Sequence, residues 1–85
     1  MQLLRAERFK KDFRQLPTEI QARAINALER FVTNPRHPSL HVKKMEGAPG
    51  MWELRVSAND RVTFQRFPGG VLLRRIGTHN ILRQP

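Results

Sequence analysis

The apolar residues of this chain change their spacing at Asn34-Pro35-Arg36-His37-Pro38, and that change decides what kind of core the chain can build. Upstream, Phe9, Phe13 and Leu16 recur at intervals of three and four among Arg8, Lys10, Lys11, Asp12 and Arg14, the period of one apolar helix face. This predicts a helix from about Ala6 to Gln15. It stops near Leu16 because Pro17 disfavours the α conformation in the residue before it, while Pro17 itself suits the start of a new helix. Thr18-Glu19-Ile20-Gln21 reads as a capping box. Ile20, Ala24, Ala27, Leu28, Phe31 and Val32 then form the apolar stripe of a second, longer helix that Asn34-Pro35 ends.

Downstream the period is two. Trp52, Leu54 and Val56 alternate with Glu53, Arg55 and Ser57, and Val62 and Phe64 alternate with Arg61, Thr63 and Gln65, as half-buried strands do. Ala58-Asn59-Asp60 separates them as a turn, and Pro68-Gly69-Gly70 makes a second turn before Val71-Leu72-Leu73-Arg74-Arg75-Ile76. The expectation is an α+β fold, a helical hairpin whose exposed apolar faces are covered by an antiparallel meander. The register of the third strand stays open, because three adjacent apolar residues do not reveal the inward face and Arg75 contradicts one of the two choices. Ser39 to Pro49 reads as a connector carrying Lys43-Lys44.

Eighty-five residues leave room for one small domain, 1–85, with a thin core and no enclosed cofactor cleft. Rossmann domains, barrels and two-domain hinge enzymes are excluded. With no cysteine there is no disulfide, no thiolate zinc site and no Cys nucleophile, so an intracellular, cytoplasmic setting is expected. The N-terminus lacks the apolar run of a signal peptide, and no stretch suits a membrane span. Sixteen Lys and Arg against seven Asp and Glu give a net charge of +9. Arg predominates, and its guanidinium fork suits bidentate contact with phosphate, so nucleic acid or an acidic protein is the expected partner.

Alternation sends Glu53, Arg55, Arg61, Thr63 and Gln65 to the sheet face opposite the helices. One reading is a solvated face with cross-strand pairs of Glu53 with Arg55 or Arg61, worth about 0–1 kcal/mol. The other adds Lys43, Lys44, Arg74 and Arg83 to make a positive field that attracts a phosphate backbone. His79, in Gly77-Thr78-His79-Asn80 just past the third strand, is placed to act as general acid or base beside Arg61, which would hold a phosphate. RNA cleavage needs only a base for the 2′-hydroxyl, an acid for the departing 5′-oxygen and cations for the phosphorane. His37, His41 and His79 do not have the spacing of metal ligands, and no metal or other cofactor is expected. Gly-rich phosphate loops, Gly-x-Ser-x-Gly and His-Glu-x-x-His are absent. Trp52, Phe64 and Phe67 are candidates for base stacking, although Trp52 and Phe64 suit the core better and leave Phe67.

Arg8-Phe9-Lys10-Lys11-Asp12-Phe13 with Leu16-Pro17, Asn34 to Leu40, Trp52 to Ser57, Asp60 to Phe64 and Ile76-Gly77-Thr78-His79 occur in an order and spacing that resemble the RelE/ParE superfamily of toxin–antitoxin toxins. The resemblance implies a helical hairpin on an antiparallel sheet, with Met1 to Arg5 as an added strand, hence three to four strands. It implies an endoribonuclease that cuts messenger RNA in the ribosomal A site until an acidic antitoxin neutralises it. Position by position, Arg61 matches the arginine that contacts the scissile phosphate, and His79 the C-terminal catalytic position of members sharing Gly-Thr-His. Glu53 and Arg55 stand where RelE-type members carry two lysines, so Glu53 reverses the charge and is a candidate base. Asp60 lies where histidine-rich members place a catalytic aspartate. The C-terminal tyrosine of RelE-type members has no counterpart, and Asn80 stands where Gly-Thr-His members often have Asp. The ParE branch implies an alternative, a gyrase-binding toxin without catalytic residues; a non-catalytic partner of ribosomal RNA would suit the charge as well.

Overall fold

The computed structural model describes residues 1–85, and each of the two sequence periods becomes one layer of it. Helix α1 (Glu7–Arg14) buries Phe9 and carries Glu7 in its first turn and Lys11 and Arg14 in its last, charges that complement the helix dipole. Helix α2 (Thr18–Thr33) buries Ala24, Ala27 and Phe31. The expected capping box does not form. Pro17 occupies the position before the helix and its carbonyl accepts the Ile20 and Gln21 amides at 3.0 Å, so the Thr18 hydroxyl has no donor left to cap. Gln21 Nε2 instead donates to the Phe13 carbonyl at 2.8 Å and ties the corner between the helices.

The expected meander is present as β3 (Trp52–Arg55), β4 (Asp60–Phe67) and β5 (Gly70–Thr78), each antiparallel to the next. Two short strands extend it. β1 (Gln2–Arg5) pairs parallel to β5, and β2 (Lys43–Lys44), within the expected connector, pairs antiparallel to β3. The sheet is therefore five-stranded and mixed, in the order β1-β5-β4-β3-β2, rather than antiparallel with three to four strands. Gly70 permits the β1 pairing, since a Cβ there would lie 2.2 Å from the Gln2 carbonyl oxygen.

A bulge settles the register of β5. Thr63 pairs with Arg75 but Phe64 with Leu73, so Arg74 is the extra residue and the inward positions become Val71, Leu73 and Ile76. They join Phe31, Leu40, Leu54, Val62 and Phe64 in the core, where the Phe31 and Phe64 rings lie 5.1 Å apart. Leu40 comes from a short 3-10 turn, Pro38–Leu40. Trp52, expected inside, is half-buried, with the Arg66 guanidinium 4.3 Å and Lys44 Nζ 5.6 Å from its ring centre. Val56 is half-buried too. Past Leu73, where β1 ends, Asp12 of α1 closes the edge of β5: its carboxylate accepts the Ile76 amide at 3.2 Å. No helix is long and apolar enough to cross a membrane.

Candidate nucleic-acid interface

Strand pairing lays the polar side chains out in rows. Lys43, Glu53, Thr63 and Arg75 are successive partners across β2, β3, β4 and β5, and Arg55, Arg61 and Gly77 form the next row. This face is not the open, solvated surface that alternation alone implies. A C-terminal 3-10 helix, His79–Arg83, packs on β4 and β5, and Ile81 is buried against Gly77, where a Cβ would sit 2.9 Å from Ile81 Cγ2. Glu53 is 8% exposed, Asp60 7% and Thr63 0%. The Thr63 hydroxyl has no hydrogen-bond partner. Glu53 pairs with neither Arg55 nor Arg61; its carboxylate lies 3.9 Å from Lys43 Nζ.

Asp60 and Arg61 close the β3–β4 turn. The Asp60 carboxylate accepts the Ser57 hydroxyl at 2.7 Å, and its carbonyl accepts the Val56 and Ser57 amides at 3.0 and 3.3 Å. Arg61 Nη1 donates to the carbonyls of Ser57 at 2.8 Å, Asp60 at 3.0 Å and Ala58 at 3.3 Å. The charged fork is thus anchored by one nitrogen, which holds it at the end of the sheet. Arg55 is exposed and directly opposite Arg61 in register, a like-charge pair with no carboxylate between. The ion pairs of the molecule engage Arg8, Lys10, Lys43 and Arg75, so Arg55, Arg61, Arg74 and Arg83 meet no acidic partner.

His79 is exposed and follows Thr78, the partner of Asp60, so Asp60, Arg61 and His79 gather at one end of the β4–β5 ladder. Arg83 is exposed four residues further on. Arg74, displaced by the bulge, donates to Gln65 Oε1 at 3.3 Å. Lys43 and Lys44 lie on the β2 edge, Lys43 beside Glu53 and Lys44 over Trp52. Phe67 is half-buried beside its own turn, near Gly70. The arrangement can meet an anion with Arg55 and Arg61 and present the His79 imidazole beside it.

Arg75 carries weight that the sequence reading did not assign to it. Its Nε and Nη2 donate to the two Asp12 oxygens at 2.9 and 3.2 Å, and its Nη1 to the Gln84 carbonyl at 3.2 Å. One side chain thereby joins α1, the sheet and the segment that carries His79. Burial pushes the Asp12 carboxyl upward in pKa, but the Arg75 and Ile76 hydrogen bonds and the charges of Arg75 and Arg8 outweigh it, leaving Asp12 below its ordinary 3.8. The only sequence signal was Arg75 itself, an inconvenient charge in an apolar strand.

The sequence profile of the phage-derived Gp49-like proteins matches residues 11–74. No curated protein matches the chain significantly. Among solved structures, the fold is similar to the RelB–RelE antitoxin–toxin complex of Methanococcus jannaschii, with a TM-score of 0.75 and 21% identity over 95% of each chain. It is similar to a YoeB/ParE toxin from Agrobacterium tumefaciens, with a TM-score of 0.75 and 13% identity over 93% of this chain and 99% of that one. The isolated RelE toxin of E. coli matches with a TM-score of 0.68 and 22% identity over 89% of this chain and 81% of that one. At such identities the likeness establishes the fold, two helices on one side of a mixed five-stranded sheet.

Proposed function

The chain belongs to the family of phage-derived Gp49-like proteins, and from that premise we propose that it is the toxin of a toxin–antitoxin pair, a ribosome-dependent endoribonuclease acting in the cytoplasm on messenger RNA in the 30S A site. Its single domain, residues 1–85, is neutralised by an acidic antitoxin. The observation that carries this reading is that Asp60, Arg61 and His79 lie at one end of the sheet, beside Arg55, with neither arginine in an ion pair and the Asp60 carboxylate engaged by Ser57. Solved neighbours that are toxin–antitoxin complexes support the partner.

In this mechanism Arg61, anchored through Nη1, presents Nε and Nη2 to the scissile phosphate, and Arg55 adds charge from the adjacent strand. His79 exchanges a proton with the reacting oxygens; Glu53 is the carboxylate candidate for the 2′-hydroxyl proton. Attack of the 2′-oxygen on phosphorus breaks the bond to the 5′-oxygen, which leaves with a proton and yields a 2′,3′-cyclic phosphate. Asp60 holds the turn that aims Arg61. Lys43, Lys44, Arg74 and Arg83 extend the positive surface along the RNA.

One observation favours a second reading. Arg61 Nη1 is committed to three turn carbonyls and Asp60 to Ser57, roles that a gyrase-binding toxin of the same fold, or a non-catalytic ribosomal RNA partner, would also require. Primer extension on a translating messenger in a reconstituted translation system separates them. Ribosome-dependent cuts that vanish in His79→Ala and Arg61→Ala are expected; absence of cuts with folded wild-type protein refutes the ribonuclease reading.

A further inference from the structure

A second cluster of cationic and imidazole side chains lies away from the face just described. The segment after α2 and the far end of β4 enclose an open cleft of about 640 Å³, lined by Arg36, His37, His41 and Arg66 together with Pro35, Pro38 and Val42. That is within the range of about 300–1,000 Å³ found for small-molecule clefts. Arg66 is five residues along β4 from Arg61, about 17 Å of strand, and shares the parity of Val62 and Phe64, which face the helices. The cleft therefore stands apart from the His79 region.

Two of its donors, Arg66 and His37, are held in place before any ligand arrives. The Arg66 guanidinium lies over Trp52 at 4.3 Å and over Phe64 at 5.5 Å, so its plane is fixed by stacking. His37 Nδ1 accepts the Ser39 amide at 3.1 Å and lies 2.8 Å from the Ser39 hydroxyl, whose oxygen in turn accepts Arg30 Nη1 at 3.1 Å. The proton of the neutral ring is therefore on Nε2, its remaining donor. His41 ends the 3-10 turn with a left-handed backbone, φ 46°, the one positive φ outside glycine. Neither Arg36 nor Arg66 has an acidic partner.

We infer that this cleft is a phosphate-binding site, for a backbone or terminal phosphate of a nucleotide ligand, separate from the position of the scissile phosphate. Two guanidiniums and two imidazoles approaching from different elements suit the several oxygens of a tetrahedral anion. Val42 is the only apolar residue there besides the prolines, too little to anchor a peptide.

Trp52 is the only tryptophan, and Arg66 lies on it, so its fluorescence reports the cleft. The probes are inorganic phosphate, AMP, and a ten-nucleotide single-stranded oligodeoxynucleotide with and without a 5′-phosphate. Lacking a 2′-hydroxyl, the oligonucleotide reports binding whether or not the protein cleaves RNA, so this test and that of the proposed function fail separately. The expected result is saturable quenching, weakened about tenfold by Arg36→Gln, with a salt slope reduced by about one. Arg66→Gln, read by anisotropy of labelled oligonucleotide, weakens binding similarly. Thermal melts establish that both variants are folded. Saturation by phosphate and AMP assigns a terminal phosphate; saturation by both oligonucleotides alone assigns the backbone. Quenching by none of the probes, wild-type affinity in both variants, or equal affinity for poly-glutamate overturns the inference.

Discussion

Asp12→Asn tests the contact on which the fold and the candidate site both depend. The Asp12 side chain is 9% exposed and that of Arg75 16%, and the carboxylate accepts Arg75 Nε, Arg75 Nη2 and the Ile76 amide. Breaking a buried pair by removing one partner costs about 3–5 kcal/mol, and a hydrogen bond to a charged group about 1.5–3 kcal/mol. Asparagine keeps one oxygen for the Ile76 amide but turns an N–H toward Arg75, so the expected loss is about 2–3 kcal/mol. An 85-residue domain holds roughly 4–13 kcal/mol in all. With a urea slope of about 1 kcal/mol/M, the unfolding midpoint should fall by about 2–3 M. The double-mutant cycle Asp12→Ala with Arg75→Ala should show a coupling of about 1–3 kcal/mol. Because the native pKa of Asp12 lies below the unfolded 3.8, the stability this contact supplies is fully present above pH 3.8 and is lost as pH falls through the lower native value. That acid limb should disappear in Asp12→Asn. A midpoint within about 0.5 M of wild type would refute the reasoning.

Other consequences are equally direct. Thr63→Val removes the buried hydroxyl that has no partner while keeping the β-branched shape, so urea unfolding should show a change between zero and about 1 kcal/mol of added stability. Gly77→Ala puts a methyl against Ile81 and should loosen the His79–Arg83 helix, at a cost of about 1–3 kcal/mol in urea unfolding and with faster proteolysis of the C-terminal residues. His79→Ala, at an exposed position, should leave stability within about 0.5 kcal/mol of wild type by thermal melt while abolishing ribosome-dependent cleavage.

Phe9, Ala24, Ala27 and Phe31 are buried where the helical period puts them, and Leu54, Val62 and Phe64 where the strand period does, so most of the core was legible before any coordinates. β1 showed in no period and was expected only through the resemblance, as the added strand of Met1 to Arg5; β2, two residues within the expected connector, was not expected at all, because what defines it is the edge offered by β3. The bulge at Arg74 was hidden because an inward set of Val71, Leu73 and Ile76 follows neither strict alternation nor a helix. For the candidate interface, the residue types were legible and their surroundings were not. Thr63 is buried on the face of β4 and β5 across which the C-terminal segment folds back, whereas Asp60, of opposite parity on β4, is tied into its own turn by Ser57.

By itself the sequence determined which faces must be covered, where the chain must break at Pro17 and Pro35, and the net charge of +9 that arginine gives the chain. These are properties of spacing and composition, set by covalent order. Only the tertiary structure decided that Asp12 would meet Arg75, 63 positions away, and that Arg66 would lie over Trp52 beside a loop that carries two histidines. Local periodicity records which side of an element is buried; the partner across the fold depends on how strand edges close and where the chain returns, and no neighbouring residue encodes that.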